Sequence, residues 1–458
     1  MDTALSQLEQ WDHEHLWHPF TAMQAYTAER PLVIERGHGC FLVDIDGNEY
    51  IDGISSMWCN VHGHRVAELD EAIRAQLERV AHSTLLGAAN VPAIRLARRL
   101  AEIAPPGLTR VFFSDDGATA VEVALKMAFQ YWQQSPQPRP AKTRFLALHG
   151  AYHGDTLGDV SVGDLARFHH LFAPLLFSTI RAPSPYCYRC PIGLKRESCR
   201  IDCVDVLCDL VHEHANELAA VVIEPLLQGA AGMIAAPAGY LRRVREITRD
   251  NDVLLIADEV AVGLGRTGKL FACNHEDVVP DFLCLAKGLT GGYLPLAATL
   301  TTEEIYRAFL GGPEQNRTFF HGHTFTGNPL GAAVALANLE LLEKSRVLES
   351  MAEKSERLSE HLRRMASLPH VGDVRQRGLM AGVELVGNKQ TKEPFPSPCR
   401  AGARVCRRAR EHGVLIRPLG DVLVIMPPLA IELPLLDRLC EVIYNCLATL
   451  EIEDVIRC

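Results

Sequence analysis

The chain has 458 residues, enough for two or three domains with a large core, and its 48% hydrophobic and 22% charged residues are typical of a globular protein. Its net charge of −10 argues against a nucleic-acid partner or an anionic membrane surface, and no apolar stretch approaches the length that spans a bilayer. The 14 cysteines, many within apolar runs, and the lack of a basic-then-apolar signal pattern in residues 1–18 favour a reduced protein of the cytoplasm.

Three stretches follow one another along the chain. Residues 1–75 contain two short predicted strands around a turn at Asp46 and Gly47. Residues 76–335 alternate helical and strand patterns, which predicts a doubly wound α/β domain. Residues 336–458 return to helix patterns and then to strands, which predicts a smaller α+β domain.

A first candidate ligand site lies where an apolar strand, residues 111–113, runs into a helix that begins near Gly117 and Ala118. The unpaired N–H groups and the positive dipole end of such a helix can bind phosphate. The plain alternative is helix capping by Asp115 or Asp116, and these two acids also count against an anion.

An aromatic residue follows the next predicted strand. Tyr152 and His153 come just after the apolar residues 145–148. A tyrosine at a strand end can stack on a ligand ring. A half-buried loop tyrosine explains the same pattern equally well.

Four cysteines have a spacing that resembles that of metal ligands. Cys187 and Cys190 form a CxxC pair, and Cys199 and Cys203 form a second pair eight residues later. Four thiolates at such spacing can hold zinc. One spacing is irregular, so a surface insertion that merely carries thiols is favoured, and no metal ligand is assigned.

The most informative pair is Asp258 and Lys287, 29 residues further along the chain. Each follows a short apolar run that predicts a buried strand, and ligands of parallel α/β sheets bind at the carboxyl ends of strands. A desolvated lysine is nucleophilic and can bond to an aldehyde. Pyridoxal 5'-phosphate (PLP) needs this pair, because a lysine holds its C4′ and a carboxylate keeps its ring nitrogen protonated.

The loop at residues 321–329 is rich in glycine and hydroxyl residues, and Thr324 can add a hydroxyl and an N–H group to a phosphate. His321 and His323 invite a metal interpretation, but they lack a third ligand nearby.

Arg417 ends an apolar run, where a guanidinium can bind a substrate carboxylate in a fork. An ordinary salt bridge is the alternative.

These motifs together resemble the class III aminotransferases, which are PLP enzymes of fold type I. The resemblance rests on Asp258-Glu259-Val260, Gly265-Arg266-Thr267-Gly268 and Lys287-Gly288 at their spacing, and it covers nearly the whole chain. Narrower marks are similar to the branch that converts 8-amino-7-oxononanoate to 7,8-diaminononanoate in biotin synthesis. These marks are residues 17–23, 52–58, 124–128, 320–325 and 416–420.

The resemblance implies a large domain with a mixed sheet, a small α+β domain to which residues 1–75 contribute, and a homodimer with shared active sites. It implies that Lys287 bonds to the cofactor and later moves the substrate proton, while Asp258 pairs with the ring nitrogen. The other implied cofactor contacts are Asp116, Gly117, Ala118, Tyr152, His323 and the neighbouring subunit's Thr324. The implied substrate contacts are Phe20, Met57, Trp58, Tyr152, Lys287, Gly322 and Arg417.

Two residues depart from the branch. Phe20 stands where it commonly has a tyrosine, and Met57 stands where it commonly has a tryptophan. The amino donor is therefore open between S-adenosylmethionine, the commoner donor, and lysine. Other readings are an aminotransferase for ornithine, 4-aminobutyrate or a similar amine, a PLP-dependent aminomutase, and a binding protein that has lost its chemistry.

Overall fold

The structure, a computed structural model, describes residues 6–450. Its α-helices are α1 (Gln7–His15), α2 (Met23–Tyr26), α3 (Ser55–Trp58), α4 (Ala67–Leu77), α5 (Val91–Ile103), α6 (Gly117–Gln134), α7 (Leu157–Val162), α8 (Ala166–His169), α9 (Cys203–His214), α10 (Tyr240–Asp250), α11 (Glu303–Ala308), α12 (Pro329–Lys344), α13 (Val347–Ala366), α14 (Ala401–Glu411) and α15 (Leu433–Ala448).

The strands are β1 (Ile34–His38), β2 (Phe41–Asp44), β3 (Glu49–Asp52), β4 (Leu108–Ser114), β5 (Arg144–Leu148), β6 (Ile180–Ala182), β7 (Leu218–Ile223), β8 (Leu227–Gln228), β9 (Ile234–Ala235), β10 (Leu254–Asp258), β11 (Phe282–Leu285), β12 (Ala297–Thr302), β13 (Val371–Arg377), β14 (Met380–Leu385), β15 (Val414–Leu415), β16 (Arg417–Leu419) and β17 (Val422–Ile425). Short 3-10 turns lie at His170–Leu175, Ala272–His275, Lys287–Thr290, Pro313–Gln315 and Ser397–Cys399.

The central layer is a mixed sheet in the order β4-β12-β11-β10-β7-β5-β6. β12 is antiparallel to both of its neighbours, and all other pairings in this sheet are parallel. Every residue of β7, β10 and β11 is buried, as expected for strands covered on both faces. Six strands therefore end at the same edge of the sheet, which is where α/β proteins bind ligands.

The helix after β4 packs on this sheet through the apolar face that its sequence predicts. Val121, Ala124, Leu125, Ala128 and Trp132 are all buried. These positions recur at three- and four-residue intervals, so they form one stripe of α6 that removes apolar surface from water.

Two smaller sheets flank the central layer. One has the order β1-β2-β3-β15, so residues 414–415 add a parallel strand to the N-terminal hairpins. The other, β13-β14-β17-β16, is antiparallel, and α13 and α14 pack against it. The predicted α/β class with a mixed sheet is confirmed, while the domain limits near residues 75 and 335 stay a prediction. No helix within residues 6–450 has both the length and the apolar character needed to cross a bilayer.

Candidate active site

A cleft of about 640 Å³ opens at the carboxyl edge of the central sheet. The ends of β4, β5, β7, β10 and β11 contribute to it. Among its lining residues are Trp58, Asp115, Asp116, Gly117, Ala118, Tyr152, His153, Thr156, Glu224, Asp258, Val260, Lys287 and Leu296. The phosphate, ring and lysine positions predicted from separate motifs therefore face one cavity.

Lys287 begins the turn that follows β11. Its φ of +46° is left-handed, a conformation that costs free energy for a residue with a Cβ atom and is often found at functional sites. Asn338 stabilises the turn because its Nδ2 donates to the carbonyls of Gly288 (2.9 Å) and Leu289 (3.0 Å). Gly292 lies just after this turn and packs against the chain at Asn60, since a Cβ at position 292 would lie only 3.1 Å from the Asn60 backbone.

The environment of Lys287 favours a free amine. Burial lowers the pKa of its ammonium group, and the carboxylates of Asp258 and Glu224 act in the opposite sense. Nζ lies 5.2 Å from the centre of the Trp58 ring. A lysine with a lowered pKa is the nucleophile that aldehyde chemistry requires.

Asp258 ends β10, the parallel neighbour of β11. It is buried, and both of its carboxylate oxygens have hydrogen-bond partners. Oδ1 accepts the N–H of Val260 at 3.0 Å, and Oδ2 lies 2.8 Å from Nδ1 of His153. These contacts fix the orientation of the carboxylate in the cleft.

The neighbouring acid, Glu259, has a different position. Its carboxylate accepts the N–H groups of Ala272 (2.6 Å) and Cys273 (2.7 Å), and burial raises its pKa to about 7. It anchors the chain that connects β10 to β11 and does not line the cleft.

The N-terminus of α6 also faces the cleft. Asp116 is its N-cap, with a side chain that accepts the N–H of Thr119 at 2.9 Å. Asp116, whose negative charge argued against an anion at this position, therefore caps the helix. Its cap leaves the first two N–H groups of α6, those of Gly117 and Ala118, available to a ligand. A Cβ on Gly117 would lie 2.5 Å from Cγ1 of Val260, so the helix approaches β10 more closely than any larger residue permits.

Tyr152 lines the cleft, and its hydroxyl donates to Asp155 at 2.8 Å. Its backbone N–H donates to Glu224 (3.2 Å), which also accepts the N–H of Gly229 (2.8 Å). Burial raises the pKa of the Glu224 carboxyl to about 7. Glu224 was not among the residues expected from the sequence, although it follows the apolar run of β7 just as Asp258 follows that of β10.

A second cavity, of about 260 Å³, adjoins the cleft at Lys287. It contains every predicted substrate contact except Gly322. Its lining residues are Phe20, Ile54, Met57, Trp58, Tyr152, Phe168, Ala230, Lys287, Arg417, Leu419 and Val424. Phe168, which packs against Phe20 at a ring distance of 5.3 Å, was missed because it comes from α8, far from the motifs in sequence.

Arg417 points its guanidinium toward this cavity. Its Nη1 lies 3.4 Å from Sδ of Met57. Among the described ion pairs none includes Arg417, so within residues 6–450 the salt bridge considered from sequence is not formed. An arginine with no carboxylate partner beside an apolar cavity can bind the carboxylate of a ligand.

The segment that carries Met57 and Trp58 has an unusual backbone. Ser55, Ser56, Met57 and Trp58 all have positive φ, from +41° to +76°. Asp52 supports this turn: its carboxylate accepts the N–H of Ser56 at 2.9 and 2.7 Å. Consecutive left-handed residues persist only when their surroundings stabilise them, and they are concentrated at functional sites.

The loop predicted to reach a phosphate lies beside the cleft. His323 pairs with Asp115 (Nδ1 to Oδ2, 3.0 Å). Thr324 and Gly322 are exposed and do not line the cleft of their own chain.

The four cysteines at positions 187, 190, 199 and 203 are free thiols and lie outside both cavities. Within residues 6–450 no group of three or more His, Cys, Asp or Glu side chains has an arrangement that could hold a metal ion.

Comparisons with known proteins agree with this geometry. The family described as aminotransferase class-III matches residues 23–447. The chain is 54% identical over 441 residues to an adenosylmethionine-8-amino-7-oxononanoate aminotransferase of Geobacter sulfurreducens, over 96% of this chain and 97% of that protein. The crystal structure of the enzyme of the same name from Methanocaldococcus jannaschii has a TM-score of 0.91 at 46% identity and covers 96% of this chain and 98% of its own. A Pseudomonas jessenii omega transaminase in complex with PMP gives 0.91 at 30% identity and 99% coverage of each chain.

Proposed function

Because the chain belongs to the class III aminotransferases, we propose that it transfers an amino group to 8-amino-7-oxononanoate and forms 7,8-diaminononanoate in biotin synthesis. The relatives of 46% to 54% identity that carry this activity in their names support the proposal. The observation that carries it is the single cavity that joins Lys287 to Trp58, Tyr152 and Arg417.

The residues of the cleft fit PLP. Lys287 has a lowered pKa beside the buried Asp258, and the free N–H groups of Gly117 and Ala118 suit a phosphate. Tyr152 and Val260 line the space between them, where a flat ring would lie. When bound, PLP supplies the aldehyde carbon that bonds to an amine and a ring that withdraws electrons from it.

Each residue then has a defined task. Lys287 would hold the aldehyde carbon of bound PLP, and once its amine is free it would take the proton from the donor's Cα. Asp258 holds a proton on the ring nitrogen. In the second half-reaction Lys287 returns a proton to the carbon that receives the amino group.

Arg417 is the proposed anchor for substrate carboxylates. It has to accept two different substrates in turn, and its side chain is held only by the weak contact to Met57 within the described residues. The apolar walls contributed by Phe20, Ile54 and Phe168 suit the methylene chain of 8-amino-7-oxononanoate.

S-adenosylmethionine is the proposed donor, with lysine as the second candidate, because Phe20 and Met57 depart from the commoner pattern of the branch. The protein should be supplied with 8-amino-7-oxononanoate and either donor, and diaminononanoate measured by mass. Product with only one donor identifies it. The absence of product with both donors would exclude the proposed acceptor. Conversion of the acceptor to an isomer of the same mass without any donor would indicate an aminomutase, because diaminononanoate itself needs a second nitrogen from a donor.

We also propose a cytoplasmic homodimer in which Thr324 of each chain reaches the cofactor phosphate of the other. The exposure of Thr324 supports this, as do the exposed apolar side chains of Leu86, Phe320 and Phe325 around the same loop. Apolar surface of this kind is expected to be covered by a partner.

A further inference from the structure

An outer cavity of about 480 Å³ adjoins the inner cavity of about 260 Å³ that contains the proposed substrate contacts. Phe20 and Phe168 line both cavities, so their rings, 5.3 Å apart, stand where the inner cavity continues into the outer one. The outer cavity is also lined by Trp17, His18 and Arg167. None of these three residues has a task in the proposed reaction.

The N-terminal helices hold the wall of the outer cavity in place. Nε2 of His18 lies 2.9 Å from Oδ1 of Asp12, and the hydroxyl of Tyr26 donates to Oδ2 of the same carboxylate at 2.9 Å. The rings of His18 and Tyr26 lie 4.3 Å apart. These contacts join the segment after α1 to α2, so Trp17 and Phe20 have fixed positions beside the inner cavity.

Two flat groups of the outer cavity are available to a ligand. The indole of Trp17 is 85% exposed and stacks on no other ring within residues 6–450. Arg167 forms no ion pair in the same part of the chain, and its Nη1 lies beside Gly420, 3.8 Å from where a Cβ would stand. Indole rings and planar guanidinium groups both stack on flat aromatic ligands. The outer cavity therefore suits a heteroaromatic ring such as a purine.

The proposed donor carries such a ring and is too large for the inner cavity. S-adenosylmethionine has about twice as many non-hydrogen atoms as 8-amino-7-oxononanoate, whose methylene chain the inner cavity suits. The donor's amine has to reach Lys287, and Arg417 lies in the same inner cavity for the carboxylate next to that amine. With the cofactor in the cleft, the adenosyl group has to extend past Phe20 and Phe168.

We propose that the outer cavity holds the adenosyl group of the donor, with the purine against Trp17 and Arg167 and the sulfonium beside Phe20 and Phe168. Cations are attracted to the faces of aromatic rings, so the junction of the two cavities suits the charged sulfur. The inference rests on the proposed function and adds to it a binding site for the donor. Trp17 is thereby a specificity-determining residue that contacts the donor and not the keto acid.

The two half-reactions separate donor from acceptor. The protein carrying PLP is mixed with S-adenosylmethionine, and the protein carrying pyridoxamine phosphate, the aminated form of PLP, is mixed with 8-amino-7-oxononanoate. The absorbance of the cofactor follows each reaction. Trp17→Ala should raise the donor concentration for half-maximal rate about 10-fold, because the purine loses a stacking partner, and should alter that of the keto acid less than ~2-fold. Trp17→Phe keeps a ring and should stay within ~3-fold of the wild type for the donor.

Trp11→Ala is the matched control, because Trp11 is 49% exposed on α1 and lines neither cavity. It should leave both half-reactions unchanged. The dimer fraction, measured by sedimentation, should be the same in the wild type and in both alanine variants. A dimer weakened only by Trp17→Ala would assign the indole to a subunit contact and overturn the inference.

Binding is tested without turnover by 5′-methylthioadenosine, which has the adenosyl group but no amine that can react. Titration calorimetry of the protein carrying PLP should show binding to the wild type and at least ~10-fold weaker binding to Trp17→Ala. A wild type that reacts with S-adenosylmethionine but does not bind this fragment would leave the adenosyl group in solvent and overturn the inference.

Three results of the half-reactions would also overturn it. These are a Trp17→Ala variant that reacts with S-adenosylmethionine like the wild type, an equal loss for donor and keto acid, and a wild type that accepts lysine but not S-adenosylmethionine. A wild type whose pyridoxamine phosphate form does not react with 8-amino-7-oxononanoate would instead refute the proposed function, whatever the variants do.

Discussion

At the scale of single residues, the site depends on groups whose charge is altered by burial. Lys287 has a lowered pKa, and Glu224 and Glu259 have raised ones. In each case desolvation is the largest cause, because few charged groups lie close enough to compensate it. The apolar ends of the strands therefore make the lysine reactive.

Glu224 makes the stability of the protein depend on pH. Its pKa is near 4.5 when solvated and about 7 in the folded protein, so the folded state binds the proton more tightly. Its stabilising contribution is complete below pH 4.5 and is lost as pH rises through 7, by about 3 kcal/mol in total. Glu224→Gln cannot titrate, so the free energy of unfolding of the variant should rise relative to the wild type over this window.

Urea unfolding of the cofactor-free proteins at pH 5 and pH 8 measures this difference. Glu259 is present in both proteins, so its contribution to the free energy of unfolding cancels in the difference between variant and wild type. An equal gap between variant and wild type at both pH values would show that Glu224 does not carry the raised pKa.

At the scale of elements, the site depends on close approaches between segments distant in sequence. Arg266, within the Gly-rich run, is buried, and desolvation lowers its pKa to about 10. It donates to the carbonyls of Pro427 (2.5 Å) and Asn60 (3.0 Å). It thus connects the loop after β10 to the segment after α3 and to the end of β17.

The left-handed turn at residues 55–58 should depend on Asp52. Asp52→Ala removes the acceptor of the Ser56 N–H and the partner of His64, 3.0 Å away. We expect the free energy of unfolding to fall by about 3 kcal/mol and the KM for the keto substrate to rise about 10-fold, because Met57 and Trp58 lose their fixed position.

Asp44→Ala is the matched control. Asp44 accepts the N–H groups of Asp46 (3.0 Å) and Asn48 (2.8 Å) in the turn between β2 and β3, outside both cavities. The Asp44→Ala substitution should lower the free energy of unfolding and leave the KM for the keto substrate unchanged. If Asp52→Ala behaves in the same way, the turn does not position the substrate residues.

The N-terminus of α6 should tolerate no side chain at position 117. A Cβ there would lie 2.5 Å from Cγ1 of Val260, which is stiff because it is β-branched. Gly117→Ala should displace the helix and raise the PLP dissociation constant about 10-fold.

Gly387→Ala, at an exposed site where the nearest atom would be 3.4 Å from the Cβ, should change nothing. Fluorescence titration with PLP compares the two variants. Equal affinity in both would show that α6 does not hold the phosphate.

At the scale of the whole molecule, the proposed sharing of active sites between two chains predicts complementation between two defective variants. Lys287→Ala should be inactive, and Thr324→Ala should bind cofactor weakly. In a mixed dimer one site would combine an intact Lys287 with an intact Thr324 from the other chain.

Co-refolding the two variants at equal amounts should therefore give activity above that of either alone, up to about a quarter of the wild type if half of the dimers are mixed and one site in each is complete. Native mass spectrometry, which resolves the two chains by mass, measures the fraction of mixed dimers. Activity equal to the sum of the separate variants would exclude a site shared through Thr324.

The sequence alone predicted the elements that have strong local patterns. The apolar runs ending at Asp258 and Lys287 predict buried strands, and the spacing from Val121 to Trp132 predicts the buried face of α6. Glu224 carried the same signal and was overlooked. Phe168 carried none, because α8 meets the cleft only through long-range packing. His153 followed a predicted strand, but its bond to Asp258, 105 positions away, has no local signal.

The sequence by itself determined the strands, the helix faces and the chemical types of the site residues, since hydrophobic periodicity and turn residues act over short distances. Only the tertiary structure decided which of those residues meet. Within residues 6–450 it left Arg417 without a carboxylate partner, brought His153 within 2.8 Å of Asp258 and gave residues 55–58 their left-handed turn. The contacts of Arg417 and of Asp258 join residues 360 and 105 positions apart, and no local pattern contains their free energy.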